Sequence, residues 1–337
     1  MHVLSVSSLK GGVGKTTVSL GLASAAFTRG LRTLVVDLDP QHDASSGLGA
    51  IGVYRETCAE VLDNPKHSVV HKAIVSSSWS MLHPGIMNVM VGSEKTRDLD
   101  TPNPSVRDLW KLEEALFRVE DEYDLVIIDT PPSLNALTRS AWAASDRVLV
   151  VSEPAMFSVV ASYRAVSAIK ETQARLNPRV ATAGVVVNRY IAGNPEHEFR
   201  LGELKEVFGN GLFMPYFEDI PQVQQAQGAG RPIHLWPGDV AQKIADSFDH
   251  ILNQVIASFS LSPAIGFAGK ETRSTRVRKI RRGSGLESVI QFEAATTKLA
   301  SNQEAIDRII AMQSGEDAIK IDAPQYVYVP GGKKPKN

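Results

Sequence analysis

The chain has 337 residues, 43% apolar and 22% charged, which is long enough for a sizeable core and ordinary for a water-soluble globular protein. Its 36 basic and 37 acidic side chains leave a net charge of −1, so contact with nucleic acid or membrane has to come from a local patch, not a global field. A single cysteine, Cys58, excludes an internal disulfide framework and a cysteine zinc site and fits a reducing compartment, and no apolar run approaches the ~20 residues of a membrane span.

The opening MHVLSVSSLKGG has no charged segment followed by a long apolar stretch, so no signal peptide is expected. Residues 2–7 read as a strand that runs into a glycine-rich loop, and a helical pattern opens at Lys15 or Thr16 and closes at Gly30. TLVVDLDP at 33–40 is a nearly all-apolar run, the kind that suits a parallel strand buried on both faces. A helix is expected over 105–120, a buried strand at 124–132 ending in an acid and two prolines, and a helix near 134–144. The pattern continues with a strand at 146–154, a helix near 157–176, a strand at 180–190 and a helix near 197–208. A short apolar piece at 211–217 and a last helix near 237–258 complete it. Strands alternating with helices predict an α/β fold, a mostly parallel twisted sheet with helices on both faces. Ligands of such sheets bind at the carboxyl ends of the strands.

KGGVGKTT at 10–17 sits where such a ligand site belongs. It departs from the phosphate-binding pattern G-x-x-x-x-G-K-[ST] in one respect. The first glycine is replaced by Leu9, and a second lysine, Lys10, follows. Gly11, Gly12, Val13 and Gly14 allow the backbone to turn its N–H groups inward onto phosphate oxygens, and the following helix adds its positive end. Lys15 is expected on the β- and γ-phosphates, with Thr16 on Mg²⁺ and Thr17 completing the loop. Asp129 ends a strand as a Walker B acid does and is expected to reach Mg²⁺ through a water. Asp37 and Asp39 alternate along a strand and so share a face. Two carboxylates there are costly unless a cation or a positioned water compensates; capping of the next turn is the other account.

With KGGVGKTT, VDLDPQ at 36–41 and VIIDTPPSL at 126–134, residues 1–259 resemble the deviant Walker A ATPases of the ParA/MinD type. Within that group the chain is most similar to ParA (Soj-type) members, through VDLDPQ and the late segment IPQVQQAQGAGRPIHLWPGDVAQKIADSF. The resemblance implies a P-loop NTPase fold with ATP and Mg²⁺ as cofactors, and a slow, partner-stimulated ATPase. It implies an ATP-dependent homodimer in which Lys10 crosses to the partner subunit's phosphates. It implies that Asp39 positions the attacking water, that Asp37 supports Mg²⁺ and that Asn188 helps hold the adenine. It also implies nonspecific DNA binding, a nucleoid-associated place in the cytoplasm and a ParB-like or other stimulating partner. The alternative is a MinD-like membrane-cycling regulator of division placement. The end of the ATPase part, DSFDHILNQVIASF, has no basic face, which argues against membrane attachment. A nitrogenase iron-protein relative would need cluster-ligating cysteines.

Phosphate-driven DNA binding needs clustered cations. Candidates are Arg200, where the family often places such an arginine, Arg189 and Arg231, and the stretch KETRSTRVRKIRR at 270–282 with Arg276, Arg278, Lys279, Arg281 and Arg282. That stretch lies in a Ser/Gly/basic segment, 260–284, which reads as a DNA-strengthening arm, a solvated linker or an anionic-lipid contact. Residues 285–337 form a C-terminal extension with a helix at 286–313, packed on the same chain or its dimer mate or docking a partner, and a frayed tail.

Overall fold

The computed structural model describes residues 1–261. The basic stretch at 270–282 and the helix expected at 286–313 lie outside the described residues. From the amino end, β1 (His2–Ser7) runs into the glycine loop and α1 (Lys15–Thr28). α1 stops where the sequence places Gly30, whose N–H bonds the Phe27 carbonyl at 2.9 Å, while the Leu31 N–H reaches Ala26 at 3.1 Å. This closing pair needs the φ of +79° that glycine adopts without strain. There follow β2 (Thr33–Asp37), α2 (Asp43–Gly47), β3 (Ala50–Ile51), α3 (Cys58–Asp63), α4 (His67–Ala73), β4 (Ile74–Ser77) and β5 (Met87–Met90). The rest alternates helix and strand: α5 (Val106–Phe117), β6 (Leu125–Asp129), α6 (Ala136–Ala144), β7 (Arg147–Ser152), α7 (Met156–Arg175) and β8 (Ala181–Val187). Three helices close the described chain: α8 (Pro195–Phe208), α9 (Pro221–Gly228) and α10 (Asp239–Ser260).

The strands form one sheet in the order β3-β4-β5-β2-β6-β1-β7-β8. Every pairing from β5 to β8 is parallel; β3–β4 and β4–β5 are antiparallel. All five positions of β6 and all six of β7 are buried. Side chains of a strand alternate between faces, so both faces of the sheet are covered there. On one of them α1 and α10 approach very closely: a methyl group at Gly21 would stand 2.1 Å from the Phe248 ring.

The antiparallel edge formed by β3, β4 and β5 is not announced by the sequence. Strands of two and four residues are too short to carry an alternating pattern. The apolar piece at 211–217 contributes no strand, only an isolated bridge from Leu212 to Val185 of β8; just beyond both, Glu218 bridges Tyr190.

Register decides where the site forms. β6 lies between β2 and β1, with Asp129 opposite both Asp37 and Val6. The carboxyl ends of the three strands are therefore level, and the loops that leave them converge.

Candidate active site

The loop between β1 and α1 turns on two glycines in the left-handed region, Gly12 at φ +80° and Gly14 at φ +87°. Gly14 is also the cap of α1, and a Cβ there would meet the Asn188 amide at 2.1 Å. The Asn188 Nδ2 donates to the Val13 carbonyl at 2.8 Å, so Asn188, buried at the end of β8, props the loop from behind. Arg189, held at φ +57°, donates to the Gly12 carbonyl at 2.7 Å.

A cleft of about 510 Å³ opens in front of this loop, lined by Gly12, Gly14, Lys15, Thr16, Asp39 and Pro132 among others. Lys15 is only 7% exposed. Burial pulls its ammonium below the usual lysine range, and the carboxylates of Asp129 and Asp39 oppose that pull. Asp129 is fully buried and accepts two hydroxyls at 2.7 Å, Thr16 Oγ1 on one oxygen and Ser19 Oγ on the other. Burial nevertheless pushes it up to about 6.

β2 ends at Asp37, so strand alternation does not place Asp39; the turn beyond the strand does. Asp39 Oδ1 accepts the Gln41 N–H at 3.0 Å, and its carbonyl accepts the His42 N–H at 2.8 Å. Asp37, fully buried, accepts both the N–H and the hydroxyl of Ser45 on Oδ2, each at 2.7 Å. Both aspartates thus hold the turn between β2 and α2. Asp37 Oδ1 is left buried without a partner. Burial, with the neighbouring Asp129 charge, pushes the Asp37 carboxyl up to about 8 despite the Ser45 donors. An orphaned carboxylate oxygen beside a second carboxylate and a hydroxyl is an all-oxygen donor set that suits a hard divalent cation. Among the described residues no group of three or more His, Cys, Asp or Glu could hold a metal. The remaining ligands would be phosphate oxygens and water, as is usual for Mg²⁺.

Lys10 does not line the cleft of its own chain. Its ammonium pairs with Glu153, which follows β7 and also accepts Ser158 Oγ at 3.3 Å. A second cavity of about 460 Å³ adjoins the cleft through Thr17 and Arg189, and Asn188, Tyr216, Phe217 and Ile220 help line it. It has the size and the partly apolar lining of a site for a flat ring.

Of the basic residues expected on DNA, Arg189 is engaged with the glycine loop. Arg200, 15% exposed, is held between Glu196 at 2.7 Å and Glu203 at 3.0 Å. Arg231 is exposed. Arg276, Arg278, Lys279, Arg281 and Arg282 lie outside the described residues. Sequence reasoning missed Glu153, Ser45, Ser19, Arg97 and Asp100. Glu153, Ser19 and Asp100 meet their partners, and Arg97 reaches the cleft, across fold-dependent distances, whereas Ser45 lies in the small-residue turn that follows VDLDPQ.

An AAA domain family model matches residues 1–182, more than half of the chain. The chromosome partitioning protein ParA of Caulobacter vibrioides is 29% identical over 238 residues, 70% of this chain and 87% of its own length. The chromosome-partitioning ATPase Soj of Thermus thermophilus is 30% identical over 233 residues, 68% and 86% of the two chains. Apo McdA from Cyanothece shares the fold, with a TM-score of 0.64 at 18% identity over 77% of this chain and 100% of its own. Among the described residues no helix is long and apolar enough to cross a membrane. The glycine loop on β1, the buried acid on β6 and these relatives lead to one conclusion: the chain belongs to the AAA domain family, as a P-loop ATPase of the ParA/MinD type.

Proposed function

We propose that this chain is an ATP-switched partitioning ATPase. With ATP and Mg²⁺ two copies pair face to face, the pair binds DNA without sequence preference, and a ParB-like or other partner protein restores single subunits by speeding hydrolysis. The observation that carries the reading is the placement of Lys10. A lysine inside the phosphate-loop motif stands outside the cleft that the motif builds, with its charge held by Glu153. A cation so placed is of no use to its own nucleotide and is available to a second copy's. The relatives named for chromosome partitioning support the same reading.

In the hydrolytic step the loop N–H groups and Lys15 bind the phosphates. Asp39, on the cleft wall, orients a water against the γ-phosphorus. The water oxygen bonds to phosphorus, and the bond to the bridging oxygen breaks with its electron pair left on ADP. The proton shed by the water leaves with inorganic phosphate. Thr16, with Asp129 and Asp37 behind it, would hold Mg²⁺, which when bound would supply positive charge against the charge of the phosphates. Lys10 from the partner copy adds a cation to the same charge, the role an arginine finger fills elsewhere. ATP therefore favours the pair, because only the pair gains the trans contact. Asn188 and the adjoining cavity receive the base. Arg189 and Arg200 are engaged within the chain, so DNA phosphates fall chiefly to Arg231 and the stretch at 270–282.

The test is Lys10→Ala. The variant should bind ATP like the parent yet stay a single subunit by size-exclusion chromatography with light scattering. ATP-dependent dimers of undiminished stability in that variant would remove the trans role from Lys10.

A further inference from the structure

One arginine on the cleft wall has no task in the mechanism above. Arg97 belongs to the 3-10 turn Glu94–Leu99, which Ser93 caps by accepting the Lys95 N–H at 3.2 Å. The turn is rooted by Thr96, fully buried, whose hydroxyl donates to the Ser93 carbonyl at 2.7 Å. Beyond it, Asp100 is fastened to the loop that follows Asp129. It accepts Ser133 Oγ at 3.0 Å and Asn135 Nδ2 at 3.4 Å on one oxygen, and the Leu137 N–H at 3.1 Å on the other. Thr101 adds its carbonyl to the Ala136 N–H at 3.0 Å. The turn thus has a fixed base, and it holds Arg97 on the same cleft as Lys15, Thr16 and Asp39.

Arg97 is exposed, and its guanidinium makes no hydrogen bond or ion pair among the described residues. Arg189, also on the cleft wall, is already engaged by the Gly12 carbonyl. A guanidinium presents its donors in a planar fork that matches two phosphate oxygens, and exposed on a rooted turn it is free to close on them.

Which phosphate it meets follows from the two ends of the site. The base end is the cavity shared by Thr17, Asn188 and Tyr216, and Arg97 is absent from its lining. The other end is bounded by the loop after Asp129, to which the Arg97 turn is tied. Asp129 accepts the Thr16 hydroxyl, and Thr16 in this motif would hold the metal that accompanies the terminal phosphates. We infer that Arg97 is a further catalytic residue, a cation supplied in cis that grips the terminal phosphate of the bound nucleoside triphosphate and stays on it as its charge develops. The inference rests on the nucleotide reading of the cleft. It makes the site one in which Lys10 arrives from the partner and Arg97 is already present.

The experiment measures ATP and ADP affinity by calorimetry with Mg²⁺, and steady-state hydrolysis, for the full-length parent, Arg97→Ala, Arg97→Lys and Lys15→Ala. Arg97→Ala should lose on the order of 10- to 100-fold in ATP affinity or kcat, the size of a lost charge-assisted contact, while ADP binds as in the parent. Arg97→Lys should recover part of that loss. A purely structural role would weaken ATP and ADP alike, and that outcome overturns the inference, as does an Arg97→Ala variant indistinguishable from the parent. If the parent itself bound neither nucleotide, or Lys15→Ala bound both undiminished, the nucleotide reading would fall and Arg97 with it.

Discussion

Lys10 is the residue on which the proposed switch turns, and Glu153 sets the resting position of its charge. The pair is partly shielded, with side chains 30% and 19% exposed, and such pairs are worth about 0.5–1 kcal/mol. In the proposed dimer both copies must release Glu153 before Lys10 can reach across. Glu153→Gln keeps the shape and removes the charge that restrains Lys10. Two released pairs amount to about 1–2 kcal/mol, so the ATP-bound dimer should dissociate at roughly 5- to 30-fold lower concentration. Sedimentation equilibrium with ATP checks this, and a weaker dimer would mean that Glu153 itself contributes to the pairing face. That Lys15 and Thr16 follow a glycine loop and that Asp129 ends a strand was legible in the sequence, because motif and strand end are local signals. Glu153 was not, because it lies 143 positions from Lys10 and meets it only through the adjacency of β1 and β7.

At the scale of elements, the stretch between β2 and α5 is where the fold departs from simple alternation. α3 is only six residues long and depends on its cap. The Glu60 carboxylate accepts the Thr57 N–H at 2.8 Å and Lys95 Nζ at 2.9 Å, while Thr57 Oγ1 accepts the Ala59 N–H at 3.3 Å. Partial burial pushes Glu60 up, but the Thr57 hydroxyl and Lys95 outweigh it and bring it down to about 2. A carboxyl with a depressed folded value stabilises the fold above its ordinary value of 4.5, and that share is lost as pH falls from there toward 2. Glu60→Ala should therefore cost about 1 kcal/mol at neutral pH, and the gap to the parent should narrow as pH drops through this window. Urea unfolding at pH 7 and near pH 3 measures both; a gap independent of pH would assign the loss to packing alone. The Thr57–Glu60 cap was not among the sequence readings, although its spacing is local, and the short strands around it have too few residues to show a period.

For the whole molecule, the near-zero net charge leaves the proposed DNA attachment to local cations. The stretch at 270–282 carries seven basic residues and one acidic residue. Replacing Arg276, Arg278, Lys279, Arg281 and Arg282 together by alanine should weaken DNA binding and lower the slope of log affinity against log salt by up to about 4.5, if each meets a phosphate. Filter binding across a salt series reads that slope, and an unchanged slope would leave the stretch as a linker. By itself the sequence determined the fold class, the order of the main strands and helices, the phosphate loop and the acids at two strand ends. These are properties of runs, periods and motifs, written within a few consecutive residues. Only the tertiary structure decided that Asp129 lies level with Asp37, that Asn188 props the loop, that Lys10 rests on Glu153 and that Arg97 stands free on the cleft wall. Each of these is a meeting of residues far apart in the chain, set by which strands pair and in what register, and no local pattern records that choice.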